Sequence, residues 1–291
     1  MSQHSHTWID PHIHFFALNE GVYGWLKPAN APFWADKKAI AKNTTEYMLY
    51  RASLGRLCGF VHLEAGYDND RPWREITFLE RHCTLPFRAV ACIDLVGNSV
   101  GSHIDKLGLY CSVRGLRHIL DDDAESLLRA PKVKWALSHM ASRGLSFEAQ
   151  LNFANSNAVS ALLNVLEQNP SLKVAINHTA IAPLEVKSYA FKAWQQNIRD
   201  LSETGQVAFK FSGLEMQNRN WQWQRASYIF ETLLTTVGAN QIMFASNYPL
   251  CKWRMPYAAL WRGLSNMTAP LSEAQKAALL SVNAKQWYDI A

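Results

Sequence analysis

Little in this sequence points to a membrane, to nucleic acid or to a disulfide scaffold. No apolar run approaches the roughly 18 residues that a membrane-spanning helix needs. The opening stretch MSQHSHTWIDPHIHF lacks a basic start followed by an apolar segment. Neither export nor membrane insertion is expected, and the cytoplasm is the expected compartment. Clustered positive charge is also missing. Lys and Arg number 29 against 24 Asp and Glu, the excess is scattered, and the one block of like charge is Asp121-Asp122-Asp123. A nucleic-acid footprint needs a basic face, so nucleic acid is not expected as a partner. The five cysteines (Cys58, Cys83, Cys92, Cys111 and Cys251) are odd in number and contain no C-x-x-C pair, which argues against a disulfide framework or a zinc ribbon. No G-x-G-x-x-G or Walker sequence is present, and no organic cofactor is expected.

What the chain does have is apolar material in a regular rhythm. Hydrophobic residues make up 48% and charged residues 18%, enough to bury a large core. Runs rich in Val, Ile, Phe and Leu recur at 7–15, 57–64, 87–95, 112–119, 145–151, 172–178, 207–213 and 241–247. Stretches of helical period lie between them near 45–56, 72–83, 99–109, 123–143, 155–168, 188–203, 223–237 and 254–266, with a final one near 272–288. Asn43 and Thr44 are expected to mark the first helix start, Ser272 with Gln275 a capping box, and Gly144 and Gly205 helix ends. Eight alternating units with nearly continuous apolar strands predict an α/β fold, a single (β/α)8 TIM barrel spanning 1–291 as one domain. The segment 16–44 breaks the rhythm. It should form a long loop after the first strand, over the C-terminal face where barrel active sites sit.

Polar residues gather toward the strand ends. The first strand carries Asp10, His12 and His14, spaced by two and so expected on one side, the barrel interior. His178 ends the sixth strand, and together the three imidazoles could hold one Zn2+ with a position open for water. Taken singly, each His reads as readily as a satisfied core residue. The fourth strand, VRGLRHIL, supplies Arg114, Arg117 and His118. An arginine in an apolar strand is costly unless paired or reserved for an anion, so this strand is the candidate for a carboxylate or carbonyl. His62, Glu64 and Lys210 alternate with apolar neighbours and are also expected to face inward. Asn247 ends the last strand, and an amide cannot act as a general base near neutral pH. Of the eleven tryptophans, Trp25, Trp34, Trp221, Trp223 and Trp253 follow barrel strands and read as pocket wall, with Trp25 and Trp221 placed against the substrate. Cys251 reads as a free structural thiol, and Met216 and Met243 as core or pocket filling.

At these residues the sequence resembles the amidohydrolase superfamily, in particular the amidohydrolase-2 branch of TIM-barrel metal-dependent hydrolases that holds sugar lactonases and 2-pyrone-4,6-dicarboxylate lactonase. WIDPHIHFF is similar to the branch's opening Asp-x-His-x-His strand, and VYGWL to the Trp-Leu segment after it. VRGLRHIL is similar to its Gly-Val-Arg-His strand, NPSLKVAINHTAIAP to its strand ending in His, and VAFKFSGLE to its Lys-x-Ser-Gly-Leu strand. IMFASNYPL resembles a segment that reads Gly-Ser-Asp-Trp-Pro in most members, and departs from it at Asn247. The resemblance implies an Asp there that activates the hydrolytic water.

The resemblance therefore implies hydrolysis of a lactone or related cyclic ester of a small, anionic or polyhydroxylated acid. His12, His14, His178 and Asn247 would surround the site, with Arg114, Arg117, His62 and Lys210 binding substrate. Water activation would pass to another residue, with Glu64 and His118 as candidates. Two other classes remain. The superfamily also contains metal-dependent decarboxylases, to whose chemistry Asn247 does less damage, and a ligand-binding homologue without catalysis would also fit the missing base.

Overall fold

The computed structural model describes residues 7–291, so the first six residues of the expected 1–291 domain lie outside the described part. Eight strands form one sheet in sequential order: β1 (Trp8–Ile13), β2 (Leu57–Leu63), β3 (Phe87–Cys92), β4 (Val113–Ile119), β5 (Ser146–Gln150), β6 (Val174–Ile176), β7 (Val207–Phe211) and β8 (Ile242–Phe244). Every neighbouring pair is parallel. The ring closes just beyond β8, where Asn247 N–H donates to the His12 carbonyl at 2.9 Å and His14 N–H donates to the Tyr248 carbonyl at 2.7 Å. The fold is the expected (β/α)8 barrel.

The surrounding helices are α1 (Lys37–Ile40), α2 (Glu46–Ala52), α3 (Trp73–His82), α4 (Val100–Leu107), α5 (Ala124–Arg129), α6 (Pro131–Ser142) and α7 (Ser156–Gln168). They continue with α8 (Tyr189–Ser202), α9 (Leu214–Gln217), α10 (Trp223–Val237), α11 (Tyr257–Met267), α12 (Glu273–Ala277) and α13 (Asn283–Tyr288). The stretch expected as one helix over 123–143 is two, because Pro131 has no N–H to continue the first and starts the second instead. Ser272 and Gln275 form the expected capping box. At α2 the cap is Thr45, whose side chain accepts Met48 N–H. Asn43 and Thr44 do not cap that helix. They accept the backbone N–H groups of Leu18 and Phe16 and so tie together the two ends of the long loop.

The helices pack on the outside of the sheet through one large apolar cluster. A second, smaller cluster fills the lower interior of the barrel, with Ile9, Val61, Leu63, Val90, Ala208 and Met243 meeting Ala284, Tyr288 and Ile290. The last helix thus plugs the N-terminal end. That closure leaves the opposite end for the polar residues. Among the described residues, no helix is long and apolar enough to cross a membrane.

Candidate active site

Strand β1 is not regular. Its register against β2 shifts twice, once across Pro11, which contributes no N–H to the ladder. The shift separates Asp10 from the two histidines expected beside it. The Asp10 carboxylate accepts from Ser246 N–H at 3.0 Å, His12 N–H at 3.2 Å and the Tyr257 hydroxyl at 2.9 Å, which fixes the β1 and β8 ends to α11. Burial pushes its pKa up to about 6.

His12 and His14 stay together at the barrel mouth. Their ring centroids are 5.2 Å apart, and that of His178 lies 4.6 Å from His12. The His14 Nδ1 sits 2.9 Å from the Leu63 carbonyl and 3.1 Å from that of Glu64. A ring nitrogen facing carbonyls must be the protonated one, which leaves Nε2 with a free lone pair. His178 Nδ1 is 3.2 Å from the Ser212 hydroxyl. Both ring nitrogens of His12 are buried with no partner. Burial is the main cause that holds all three imidazoles well below the ordinary histidine range, His178 at about 3, and nearby Arg117 and Lys210 add to it. The site therefore contains three neutral rings at pH 7.

The backbone holding them is strained. His178, Thr179, Ala180 and Ile181 all have positive φ, between 51° and 57°, as does Asn247 at 58°. Such a conformation costs an L-residue roughly 1–2 kcal/mol, and strain of this kind concentrates at functional sites. Gly213 makes room for the His178 ring: a Cβ there would lie 2.3 Å from Nδ1.

A polar layer runs across the barrel close to these rings. Arg117 Nε and Nη2 both reach Glu64 Oε1, at 2.8 and 2.6 Å, while Nη1 reaches Asn177 Oδ1 at 3.5 Å. Asn177 Nδ2 and the Tyr288 hydroxyl donate to Glu148, which also pairs with Lys210 at 2.8 Å. Lys210 is fully buried and its pKa falls to about 8.

Three expected substrate or catalytic groups lie elsewhere, for one geometric reason. Side chains alternate along a strand, and Arg114, three residues before the inward Arg117, must face the other way. It pairs with Asp289 at 3.0 Å, near the barrel floor. His118, adjacent to Arg117, likewise turns away and sits 3.1 Å from the Ile93 carbonyl. On β2, Val61 and Leu63 occupy the interior, so His62 points outward. Its Nε2 accepts Phe15 N–H at 3.0 Å, and burial lowers its pKa to about 3. Glu64 lies beyond the strand end, and so escapes the alternation and meets Arg117.

The mouth is covered. The loop over 16–44 brings Trp25 and Trp34 edge to face at 6.2 Å, and Trp34 meets Trp253 in the same way at 5.3 Å. Trp25 Nε1 donates to the Ala65 carbonyl. Arg219 stacks 3.7 Å over Trp253 and pairs with Asp36 at 2.7 Å, so the loop is latched to the segments after β7 and β8. Trp221 and Trp223, expected as pocket wall, pack into the outer core. Trp223 lies so close to Gly263 of α11 that a Cβ there would be 2.0 Å away. Met216 joins the cluster beneath the loop and Met243 the barrel interior, while Cys251 is buried and free.

Asn247 donates from Nδ2 to Glu215 Oε1 at 2.7 Å, and its own Oδ1 is buried without a partner. Burial raises the Glu215 carboxyl to about 7. Glu215 carries no sequence pattern of its own beyond standing directly after Ser-Gly-Leu in VAFKFSGLE. The rings of His12, His14 and His178 meet, but they do not fit a metal as arranged. Among the described residues, no three His, Cys, Asp or Glu side chains are gathered so as to hold one.

A family model described as Amidohydrolase matches residues 9–290. The uncharacterized protein y4mH of Sinorhizobium fredii is 30% identical over 97% of this chain and 98% of its own length. Among solved structures, an amidohydrolase from Burkholderia multivorans with bound zinc superposes with a TM-score of 0.83 at 18% identity, covering 98% of this chain and all of that one. A putative 2-pyrone-4,6-dicarboxylic acid hydrolase from Pseudomonas putida superposes with a TM-score of 0.69 at 17% identity, over 97% of each chain. At these identities the structural likeness is one of fold.

Proposed function

The chain belongs to the amidohydrolase family, and from that premise we propose that it hydrolyses a lactone or related cyclic ester of a small sugar acid or carboxylic acid at the C-terminal face of the barrel. The observation that carries this reading is the neutral imidazole cluster, in which both ring nitrogens of His12 are buried and unpartnered 4.6 Å, centroid to centroid, from His178. A neutral imidazole N–H donates to an oxygen that gains negative charge as water adds to a carbonyl, and it does so best where bulk water is excluded. His12 and His178 have this role, and His14, held by two backbone carbonyls, fixes the geometry of the group. Arg117 orients a carboxylate or hydroxyl of the substrate. Its Nη1 makes only a 3.5 Å contact in the protein and so retains donor capacity. The name of the Pseudomonas putida relative supports the choice of a cyclic ester.

The test is hydrolysis of a panel of sugar-acid lactones and cyclic esters by the wild type, His12→Asn and His178→Asn, with CO2 release from the corresponding acids measured alongside. Lactone opening that falls at least a hundredfold in both variants supports the reading. Release of CO2 in place of ring opening replaces hydrolysis with decarboxylation. Binding that depends on His12 and Arg117 without any turnover replaces it with a non-catalytic role.

A further inference from the structure

The end of β8 supplies no group that can take up a proton, because Asn247 is an amide. The carboxylates around the mouth are for the most part committed. Glu64 is gripped by Arg117, Glu148 by Lys210, and Asp10 by three donors of the closing seam. Glu75, on α3, accepts Ala65 N–H beside His62, and Glu215 stands just beyond the end of β7, nearest to Asn247. Glu215 is buried on α9 directly after β7, and its bond to a neighbouring side chain comes from the neutral Asn247 amide at 2.7 Å. Asn247 is in turn joined to β1 through its N–H bond to the His12 carbonyl. On these two linked residues, Asn247 Oδ1 and both His12 ring nitrogens are buried polar atoms without partners. A buried polar atom without a protein partner calls for a water molecule or a substrate oxygen, and these three stand on residues joined by a backbone hydrogen bond.

We propose that Glu215 is the acid–base carboxylate of the hydrolysis, with Asn247 holding the attacking water between it and the imidazoles. This rests on the hydrolase reading above. The water oxygen bonds to the ester carbonyl carbon while one of its protons passes to Glu215. The ring C–O bond then breaks, and Glu215 returns that proton to the departing alkoxide. The product is the open hydroxy acid, and the carboxylate is regenerated. The groups that face Glu215 suit this exchange. Asn247 and Cys251 come from the segment after β8, and Arg219 comes from its own loop, donating to the Glu215 backbone carbonyl and pairing its charge with Asp36. No cation is paired with the carboxylate itself among the described residues, and burial holds it near neutrality, where a group can both accept and release a proton.

The test compares wild type, Glu215→Gln, Glu215→Asp and the double variant Glu215→Gln/Asn247→Asp in kcat, KM and product binding from pH 5 to 9, on whichever lactone the wild type opens. Glu215→Gln is expected to lower kcat by about 10² to 10⁴, to keep KM and product binding within about threefold, and to abolish the rise of kcat near pH 7. Returning a carboxylate at position 247 should recover at least tenfold. A Glu215→Gln enzyme with kcat within threefold of wild type and an unchanged pH profile overturns the proposal and leaves the hydrolase reading intact. If the wild type opens no lactone, the reading falls and takes the proposal with it. Should Glu215→Gln fail to fold, Glu215→Asp decides, because a retracted carboxylate must shift the pH profile and an unmoved profile overturns the assignment.

Discussion

Lys210 and Glu148 form an ion pair 2.8 Å long with both side chains fully excluded from solvent. A buried pair is a weak source of stability, but removing one partner strands the other's charge. Lys210→Met should therefore destabilise the protein by about 3–5 kcal/mol, and adding Glu148→Gln should recover most of that loss. Denaturant titration of the two single variants and the double variant gives the coupling. Additive losses would mean that the pair is not a unit.

His62 predicts an acid-labile fold. Its pKa is depressed from 6.5 to about 3 by burial, so its contribution to stability is complete above pH 6.5 and is lost as the pH falls toward 3. The slope is about 1.4 kcal/mol per pH unit. In His62→Gln, which keeps an acceptor for Phe15 N–H, this slope is absent, and its stability gap to wild type should narrow as the pH drops from 6.5 to about 4. A constant gap across urea melts in that range would contradict the assignment.

Gly213→Ala and Gly144→Ala separate backbone strain from crowding. The two glycines have nearly equal φ, +71° and +68°, yet an added Cβ meets His178 at one and nothing within 4 Å at the other. Gly144→Ala should cost roughly 1–2 kcal/mol, and Gly213→Ala more, because its Cβ also overlaps the His178 ring. Turnover should fall at least tenfold in Gly213→Ala alone, as the ring is displaced. Equal activities in the two proteins would remove His178 from the proposed role.

The latch between Asp36 and Arg219 is partly exposed, with side-chain accessibilities of 38% and 26%. Such a pair contributes on the order of 1 kcal/mol or less. Asp36→Ala should accordingly raise ligand release from the covered mouth by roughly fivefold or less, measured by stopped-flow tryptophan fluorescence. Trp34 and Trp253 supply the signal. Unchanged release would mean that the loop does not gate the site.

Chelator treatment tests the misfit of the imidazole set to a metal. Turnover by protein dialysed against a strong chelator should equal that of untreated protein, with elemental analysis of both samples. A loss restored by zinc would show that the three rings rearrange into a cation site.

The fold is legible in the sequence because its signal is repetitive. Eight apolar strands and the helices between them recur often enough to survive errors at single boundaries, and the positions of His12, His14, His178 and Arg117 late in their strands suffice to bring them to the mouth. The differences are local. Alternation alone admits His62 to the interior, but Val61 and Leu63 have the better claim to it, and strand geometry forbids Arg114 and Arg117 from both facing in. Asp10 is displaced by the irregularity at Pro11, which no period-two reading contains. Glu215 is hidden differently. A carboxylate in a short helix after a strand has no pattern of its own, and only its bond to Asn247 sets it apart from a solvated acid.

The polar layer of the barrel also has a consequence for the order in which the protein can be completed. Glu148 and Lys210 belong to β5 and β7, but a further donor to Glu148 is the hydroxyl of Tyr288, in the last helix. During synthesis all eight strands leave the ribosome before that residue does. Until it arrives, Glu148 lacks one donor and the floor of the barrel lacks the side chains of the last helix. The last turn of helix therefore closes a site built almost wholly from residues that precede it by far in the chain.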